Sequence, residues 1–531
     1  MSMTLSVLFV LGYRRAYHIN LLFQVSYFVL PAVSPVHSAA VLGRHILPTE
    51  LKTISNTTAV GLTDNATTSS SMVNMTSTNN NAVTAQGWTS SPNGRGTIDI
   101  IWSCALTIFL CSWTVLCLNI PPPDWSLLKY TNQKNLIACE GILGPEFVFQ
   151  TALGQWVSAC CSVKDFTNSG YPQWTMAHAF LADMGGYVLH PTDFVRFPLN
   201  AKQVHYLVKE GYIDYSTVGV SKSTIDDKNK GDGMARFITV LQILWFVVNM
   251  IARAIQRVTI TTLELTTLGY IVCTLGTYFF WAHKPLDIKE PIVLVPSITM
   301  ADILTKAGAP AAKPYKHTPM DFVGQEHSSW FLYWTYWFNI LRKMGINFHT
   351  LKRPIDKIPD DQFAPLDART TPILFLFQTG YAAVHIAGWN FHFPTKLERR
   401  LWRIATTYII IAIVIYWIAD MYAWHLLPAV KKFWAASRFA KQITEPEAGE
   451  NNKHSKETSK FREFAARLRN NSADNDPNMD VPLKALIPVT TVAAIYCIAR
   501  LYIVTEDFVA LRALPQSAYA SVNWSAFLPH L

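Results

Sequence analysis

Six runs of roughly 20 mostly apolar residues dominate the chain, at 98–118, 237–255, 261–281, 372–389, 402–424 and 484–504. A run of that length spans the hydrocarbon core of a bilayer as a helix, which satisfies its own backbone hydrogen bonds where water is absent. Trp102, Trp281, Trp402, Trp424 and Tyr502 stand at the ends of runs, where an amphipathic ring suits the membrane interface. The expected fold is therefore all-α: a multi-pass membrane protein with six transmembrane helices, whose first partner is the lipid bilayer. Only 15% of the residues are charged, against about 25% in soluble domains, and that deficit agrees with burial in lipid.

Residues 1–38 read as a signal peptide or signal anchor. Arg14 and Arg15 precede an apolar run at 19–33, and Val36-His37-Ser38 offers small side chains for cleavage. The chain is thus expected in a membrane of the secretory pathway, such as the endoplasmic reticulum, vacuole or plasma membrane. Residues 39–97 form a lumenal or extracellular stalk. From 51 to 96 it is rich in Ser, Thr and Asn, buries too little surface to offset its chain entropy, and is expected to be disordered. Sequons at Asn56, Asn65 and Asn74, and a further one at Asn523, mark expected glycosylation.

With the stalk outside, six crossings return the C-terminus outside. The multi-pass core covers 98–424 with large cytosolic loops at 119–236 and 282–371. A basic cytosolic linker follows at 425–483, then the last helix and tail at 484–531. The inside pieces hold 31 Lys and Arg against eight outside, the bias that orients membrane proteins. This spread accounts for the net charge of +9 without a compact basic patch, so nucleic acid is not an expected partner. The eight cysteines lie in or beside apolar stretches with no metal-ligand spacing, so no metal is expected, and nothing indicates a cofactor.

Residues 136–189 are ambiguous. They are apolar enough to enter the membrane, as a pair of short or re-entrant helices, or to form the core of a cytosolic subdomain. A spanning pair would make eight crossings and leave the parity unchanged. The stretch also gathers acid/base groups, with Glu140, Glu146, His178 and Asp183 as catalytic candidates beside Gln150, Gln155, Asp165, His190 and Asp193. Apolar surroundings raise a carboxyl pKa and make such a residue a useful acid. Against this, His178 and Asp183 are five apart and do not share a helix face, and a structural polar layer is the plainer reading.

Ionisable residues inside a span cost several kcal/mol unless paired. Arg253 and Glu264 flank a short connection, where they form either a salt bridge locking the helix hairpin or part of a substrate or ion site. His385 lies deeper, as a proton relay or a hydrogen bond between helices. Asp420 and Arg500 fall near span ends, where snorkelling or helix-end pairing explains them. Asp226-Asp227 with Asp232 resembles a magnesium-diphosphate cluster only weakly, being interleaved with Lys228 and Lys230. Residues 459–469 form either a basic amphipathic helix on the inner leaflet or a plain linker.

Three blocks carry a resemblance when taken together. The first is Gly94-Arg95-Gly96-Thr97-Ile98-Asp99-Ile100-Ile101-Trp102-Ser103-Cys104. The second is Ile260-Thr261-Thr262-Leu263-Glu264-Leu265 through Trp281-Ala282-His283-Lys284-Pro285-Leu286. The third is Ala499-Arg500-Leu501-Tyr502, Glu506 and Leu511-Arg512-Ala513-Leu514-Pro515, ending on Trp524 and Phe527-Leu528-Pro529-His530. Over residues 94–531 the chain resembles a functionally uncharacterised family of polytopic membrane proteins of filamentous fungi. That resemblance implies a membrane fold and transfers no activity.

Three functions remain. A transporter, channel-like protein or receptor for an unknown small molecule would bring Arg253, Glu264 and His385 around a cavity. A membrane-embedded enzyme acting on a lipid or terpenoid-like substrate in secondary metabolism would bring Glu140, Glu146, His178 and Asp183 into one pocket. A scaffold would enclose no polar pocket. The chain lacks a phosphate-binding loop, zinc-protease motif, nucleophile elbow and dinucleotide fingerprint, which favours the first narrowly.

Overall fold

The computed structural model describes residues 85–421 and 481–527, with residue 464, apart from gaps at 92–93, 222, 226–232, 287, 289, 313, 316, 325–335, 338, 342, 346–352, 361–365, 367–369 and 482. The signal segment, the stalk to residue 84 with Asn56, Asn65 and Asn74, the Asp226-Asp227-Asp232 cluster, the 459–469 helix apart from residue 464, and residues 528–531 lie outside the described residues. So do the side chains of Glu140 and Asp420.

In chain order the elements are β1 (Ala85–Gln86), α1 (Thr97–Thr114), α2 (Leu127–Leu143), α3 (Pro145–Asn168), α4 (Met176–Asp183), β2 (Tyr187–Leu189), β3 (Phe197–Leu199), α5 (Ala201–Lys209) and α6 (Tyr215–Val218). Then follow α7 (Gly233–Ile255), α8 (Thr262–Phe280), β4 (Ile292–Leu294), α9 (Met300–Ala307), α10 (Thr370–Ala387), α11 (Lys396–Met421), α12 (Leu483–Val509) and β5 (Leu514–Pro515).

Among the described residues, α1, α7, α8, α11 and α12 are long and apolar enough to cross a membrane, and α2 with α3 would make a sixth if the pair were one bent span. The run at 372–389 does form a helix, α10, but Gln378, Thr379, Tyr381 and His385 dilute it and it is not among the five. The outward faces are apolar. Leu397, Leu401, Ile404, Ile411, Ile415 and Ile418 make an exposed stripe at helical spacing on α11, and Phe237, Leu241, Leu244, Val248 and Ile251 do the same on α7. Those side chains suit lipid. The inward stripe of α7 is Thr239, Ile243, Phe246, Met250 and Arg253.

The helices alternate in direction. Thr239 Oγ1 donates to Thr114 (3.2 Å) and Gln242 to Thr107 (3.0 Å), so α1 and α7 are antiparallel. Trp417 Nε1 donates to Gln378 (2.9 Å) and Trp402 Nε1 to the His385 carbonyl (3.2 Å), pairing α10 with α11 in the same sense. Tyr408 OH donates to the Val492 carbonyl (3.0 Å) and Tyr502 OH to the Glu398 carbonyl (3.0 Å), placing α12 against α11. Helix α8 sits in the middle with 12 of its 19 residues buried. Two glycines one heptad apart let its neighbours close in: a Cβ at Gly276 would lie 2.5 Å from the Phe149 ring, and one at Gly269 2.9 Å from Tyr381.

The α2–α3 pair turns by 111° at Gly144. Gln133 of α2 donates to the Asp360 carboxylate (3.4 Å) and Gln155 of α3 to the Asp360 carbonyl (3.0 Å), so both arms leave the same end of the bundle. At the turn the carbonyl of Ile142 accepts from Tyr270 and that of Leu143 from Arg500 (3.3 Å). At 1.5 Å per residue, Tyr270 lies about 9 Å along α8 from Glu264. The pair is a bent hairpin whose tip is buried in the bundle.

The loops at 119–236 and 282–371 meet at that same end in one mixed subdomain, which corrects the all-α expectation locally. Its sheet has the order β3-β2-β4, with β2 antiparallel to β3 and parallel to β4 (Tyr187 opposite Ile292). The far end of α3 enters its core, where Phe166 stacks on Trp174 at 4.0 Å between rings. The turn from α4 into β2 needs glycine twice. Gly185 has φ +81°, and a Cβ on Gly186 would lie 2.5 Å from the Leu181 carbonyl.

The opposite end is closed by the termini of the described chain. β1 pairs with β5 (Ala85 opposite Pro515), and Arg95 and Tyr519 reach across the same seam. Ala85–Gly87 and Arg95, assigned to the stalk from composition, therefore pack against the C-terminal segment.

Candidate functional site

At this closed end, Thr261-Thr262-Leu263-Glu264 begins α8 as a capping box. Thr261 Oγ1 accepts from the Glu264 N–H (3.3 Å), and Glu264 Oε2 accepts from the Thr261 N–H (2.8 Å). The other carboxylate oxygen, Oε1, accepts from Arg95 and lies 3.9 Å from Arg253 Nε. Arg253 donates to the carbonyls of Ala520 (2.9 Å), Ala518 (2.9 Å) and Thr259 (2.7 Å), so one guanidinium binds the α7–α8 connection to the C-terminal segment. Arg253 and Glu264 are 1% and 0% exposed, a fully buried pair.

A cavity of about 370 Å³ opens beside this pair, between α1, α7 and residues 521–524. Arg95, Arg253, Asp99, Ser103 and Asn249 are among its polar lining, and Trp245 and Trp524, stacked at 5.5 Å, among its apolar lining. Arg253 Nε is buried with no hydrogen-bond partner. Nearby, Asn523 is exposed; its carbonyl accepts from Gln256 Nε2 (2.8 Å), its N–H donates to Gln256 Oε1 (3.0 Å), and its Oδ1 accepts from Ser525 (2.6 Å).

Deeper in the bundle, Asp507 of α12 accepts from the hydroxyls of Thr262 and Thr266. One layer further, the tip of the α2–α3 hairpin meets a second buried pair. Glu146 Oε1 accepts from Tyr496 OH (2.5 Å), while its Oε2 lies 4.0 Å from Arg500. Arg500 also donates to Tyr381 OH (2.5 Å) and to His385 Nε2 (3.2 Å). Arginine only donates, so His385 Nε2 accepts and its proton sits on Nδ1. Below this centre Gln378 Nε2 donates to Gln150 (3.0 Å) and Trp417 Nε1 to Gln378 (2.9 Å).

At the subdomain end of the bundle, Lys284 Nζ donates to Gln155 (2.8 Å) and the Cys117 carbonyl (2.9 Å), 4.4 Å from the Trp281 ring centre. Burial brings its pKa down to about 8 from 10.5. Between those values the unfolded chain holds more protons than the native one, so stability rises with pH across that window. Thermal unfolding in detergent should therefore shift upward from pH 8 to 10.5, and Lys284→Met should flatten the rise.

The sequence-derived candidates divide among these places. Arg253 and Glu264 come together as a salt bridge, while His385 belongs to the Arg500 centre instead. Glu146, His178 and Asp183 do not share a pocket. His178 bonds Thr175 Oγ1 (2.7 Å) and the Val220 carbonyl (2.6 Å), and burial pushes its pKa down. Asp183 accepts from Ser158 (2.8 Å) and the Ala201 N–H (2.9 Å), and burial raises its pKa. Both tie the subdomain together. Arg500 does not snorkel; it is 3% exposed at the centre of a network. Arg95, Tyr270, Tyr381, Tyr496 and Lys284 were not foreseen. Among the described residues no group of three or more His, Cys, Asp or Glu is placed to hold a metal.

A model of a family of unknown function (DUF8562) matches residues 68–307 and 461–531. No curated protein and no solved structure matches the chain.

Proposed function

The chain belongs to that family, and we propose that it is a multi-pass membrane protein that binds a small molecule in the cavity beside Arg253 and transports or senses it. The cavity carries this reading: it has the volume of a small-ligand site, and Arg95, Asp99 and Arg253 bring charged groups to its wall. The enzyme reading is weaker, because its acid/base residues sit in separate hydrogen-bond networks. A scaffold needs no such cavity. We place the closed end outside and the subdomain in the cytosol, since the loops that build the subdomain carry 21 Lys and Arg against eight in the outside pieces. The signal segment, the glycosylated stalk and the secretory-pathway location belong to the same proposal. So does membership of the fungal membrane family, whose resembling blocks at 94–104, 260–286 and 499–530 fall within the matched residues.

The test compares small molecules in cells and medium, with and without the protein, and with Ser103→Trp, which fills the cavity. The expected result is a compound redistributed between cell and medium by the native protein and not by the variant. A compound that disappears from both while its precursor accumulates would establish the enzyme instead. No change in any compound would leave the scaffold.

A further inference from the structure

The buried polar groups described above stack along one line. From the closed end they run Arg95–Glu264–Arg253, then Thr262–Thr266–Asp507, then Glu146–Arg500–Tyr496 with Tyr381 and Tyr270. Gln150–Gln378–Trp417 follow, and Gln155–Trp281–Lys284 close the line at the subdomain. From Glu264 to Trp281 is 17 residues of α8 and its cap, or about 26 Å. That is close to the hydrocarbon thickness of about 30 Å.

A polar layer that only holds helices together has its buried atoms satisfied. Here Glu146 Oε2 is buried without a hydrogen-bond partner, 4.0 Å from Arg500, and Ser112 Oγ beside the neighbouring small cavity lacks one as well. Ionisable groups held inside a membrane bundle mark ion and proton pathways. We propose that this column is a proton path through the bundle, with the Glu146 carboxylate as the group that takes up and releases the proton near its middle.

Uptake forms one O–H bond on Oε2 and leaves Arg500 as the cation of the centre; release breaks that bond and restores the ion pair. The groups facing Glu146 are Arg500 and Tyr496 from α12, Tyr381 from α10, and Tyr270 and Cys273 from α8, with His385 behind Arg500. His385 is not the carrier, because its Nε2 lone pair is engaged by Arg500. A cavity of about 10 Å³ beside Tyr270 and Ser112 has room for a single water, and Ser112 Oγ lacks a partner. Phe149 and Phe377, stacked at 3.5 Å, plug the column between the Glu146 and Gln378 layers. The hairpin tip delivers both Glu146 and Phe149, so the path and its plug belong to the same element. The proposal is independent of whether the end cavity binds a small molecule.

The test uses the full chain in liposomes loaded with a pH-sensitive dye, with a potassium diffusion potential driving protons. Phe377→Ala should raise proton flux at least about tenfold over protein-free vesicles, a barrier change of about 1.4 kcal/mol. Adding Glu146→Gln, or separately Gln378→Leu, should return it to the protein-free rate. Glu146→Gln leaves Arg500 uncompensated, so Gln378→Leu, which carries no charge, decides the matter if that protein does not fold. A Phe377→Ala flux equal to that of empty vesicles overturns the path. A raised flux that survives both second substitutions overturns the column as its route.

Discussion

Arg500→Met should destabilise the detergent-solubilised protein by about 3–5 kcal/mol, because it leaves the Glu146 carboxylate buried without its cation. Adding Glu146→Leu to the same chain should recover part of that loss. Replacing both members of a buried ion pair with apolar side chains removes the desolvation cost together with the attraction. Recovery will be incomplete. Tyr496 loses its acceptor on Glu146, and Tyr381, His385 and the Leu143 carbonyl lose their donor on Arg500. Each orphaned group costs about 1–3 kcal/mol. The measurement is a denaturant midpoint for the two single variants and the double variant. A double variant no better than Arg500→Met would show that the guanidinium matters for its hydrogen bonds and not for its charge.

Glu264→Leu should have a loss of similar size, about 3–5 kcal/mol, for a different reason. The residue serves two structures with two oxygens. Oε2 completes the capping box of α8, and Oε1 sits between Arg95 and Arg253. Leucine removes both and leaves two guanidiniums facing each other. Glu264→Gln separates the roles, since its amide oxygen still accepts from the Thr261 N–H while its charge is gone. A charge-dominated site predicts that glutamine costs most of what leucine costs. If the glutamine variant unfolds with the native midpoint, the carboxylate is a cap and the pairing with the arginines contributes nothing measurable. The comparison is sharpened by Arg253, whose three carbonyl partners do not depend on Glu264.

The spans were legible because composition alone marks them: a run such as 237–255 has one outcome in any solvent that lacks water. Arg500 was misplaced for a simple reason. The apolar run stops at 504, but α12 continues to Val509, so a residue that looked terminal lies more than two turns inside. The tyrosines of the centre were invisible because a tyrosine in an apolar run reads as bulk, and its hydroxyl partner is set by packing from another helix. Thr261-Thr262-Leu263-Glu264 did carry a readable signal, the capping-box spacing before an apolar run. The mixed subdomain could not be foreseen. Strands of three residues show no alternation, and β2 finds its parallel partner β4 more than 100 positions away, with no local sign of the pairing. The five-residue spacing of His178 and Asp183 was informative, since the two have separate partners.

The pairing of Ala85–Gln86 with Leu514–Pro515 imposes an order on assembly. These contacts bridge some 430 positions of chain, among the most non-local a protein of this length can make, and non-local contacts form late. A growing chain inserts α1 first, yet Arg95, beside its start, finds the Ala518 carbonyl only after the last helix has been synthesised. Until then the end of the bundle that holds the 370 Å³ cavity has no wall on the side of residues 521–524. The cavity is thus finished only by residues made after α12, so a chain that stops short of Ser521 lacks that wall.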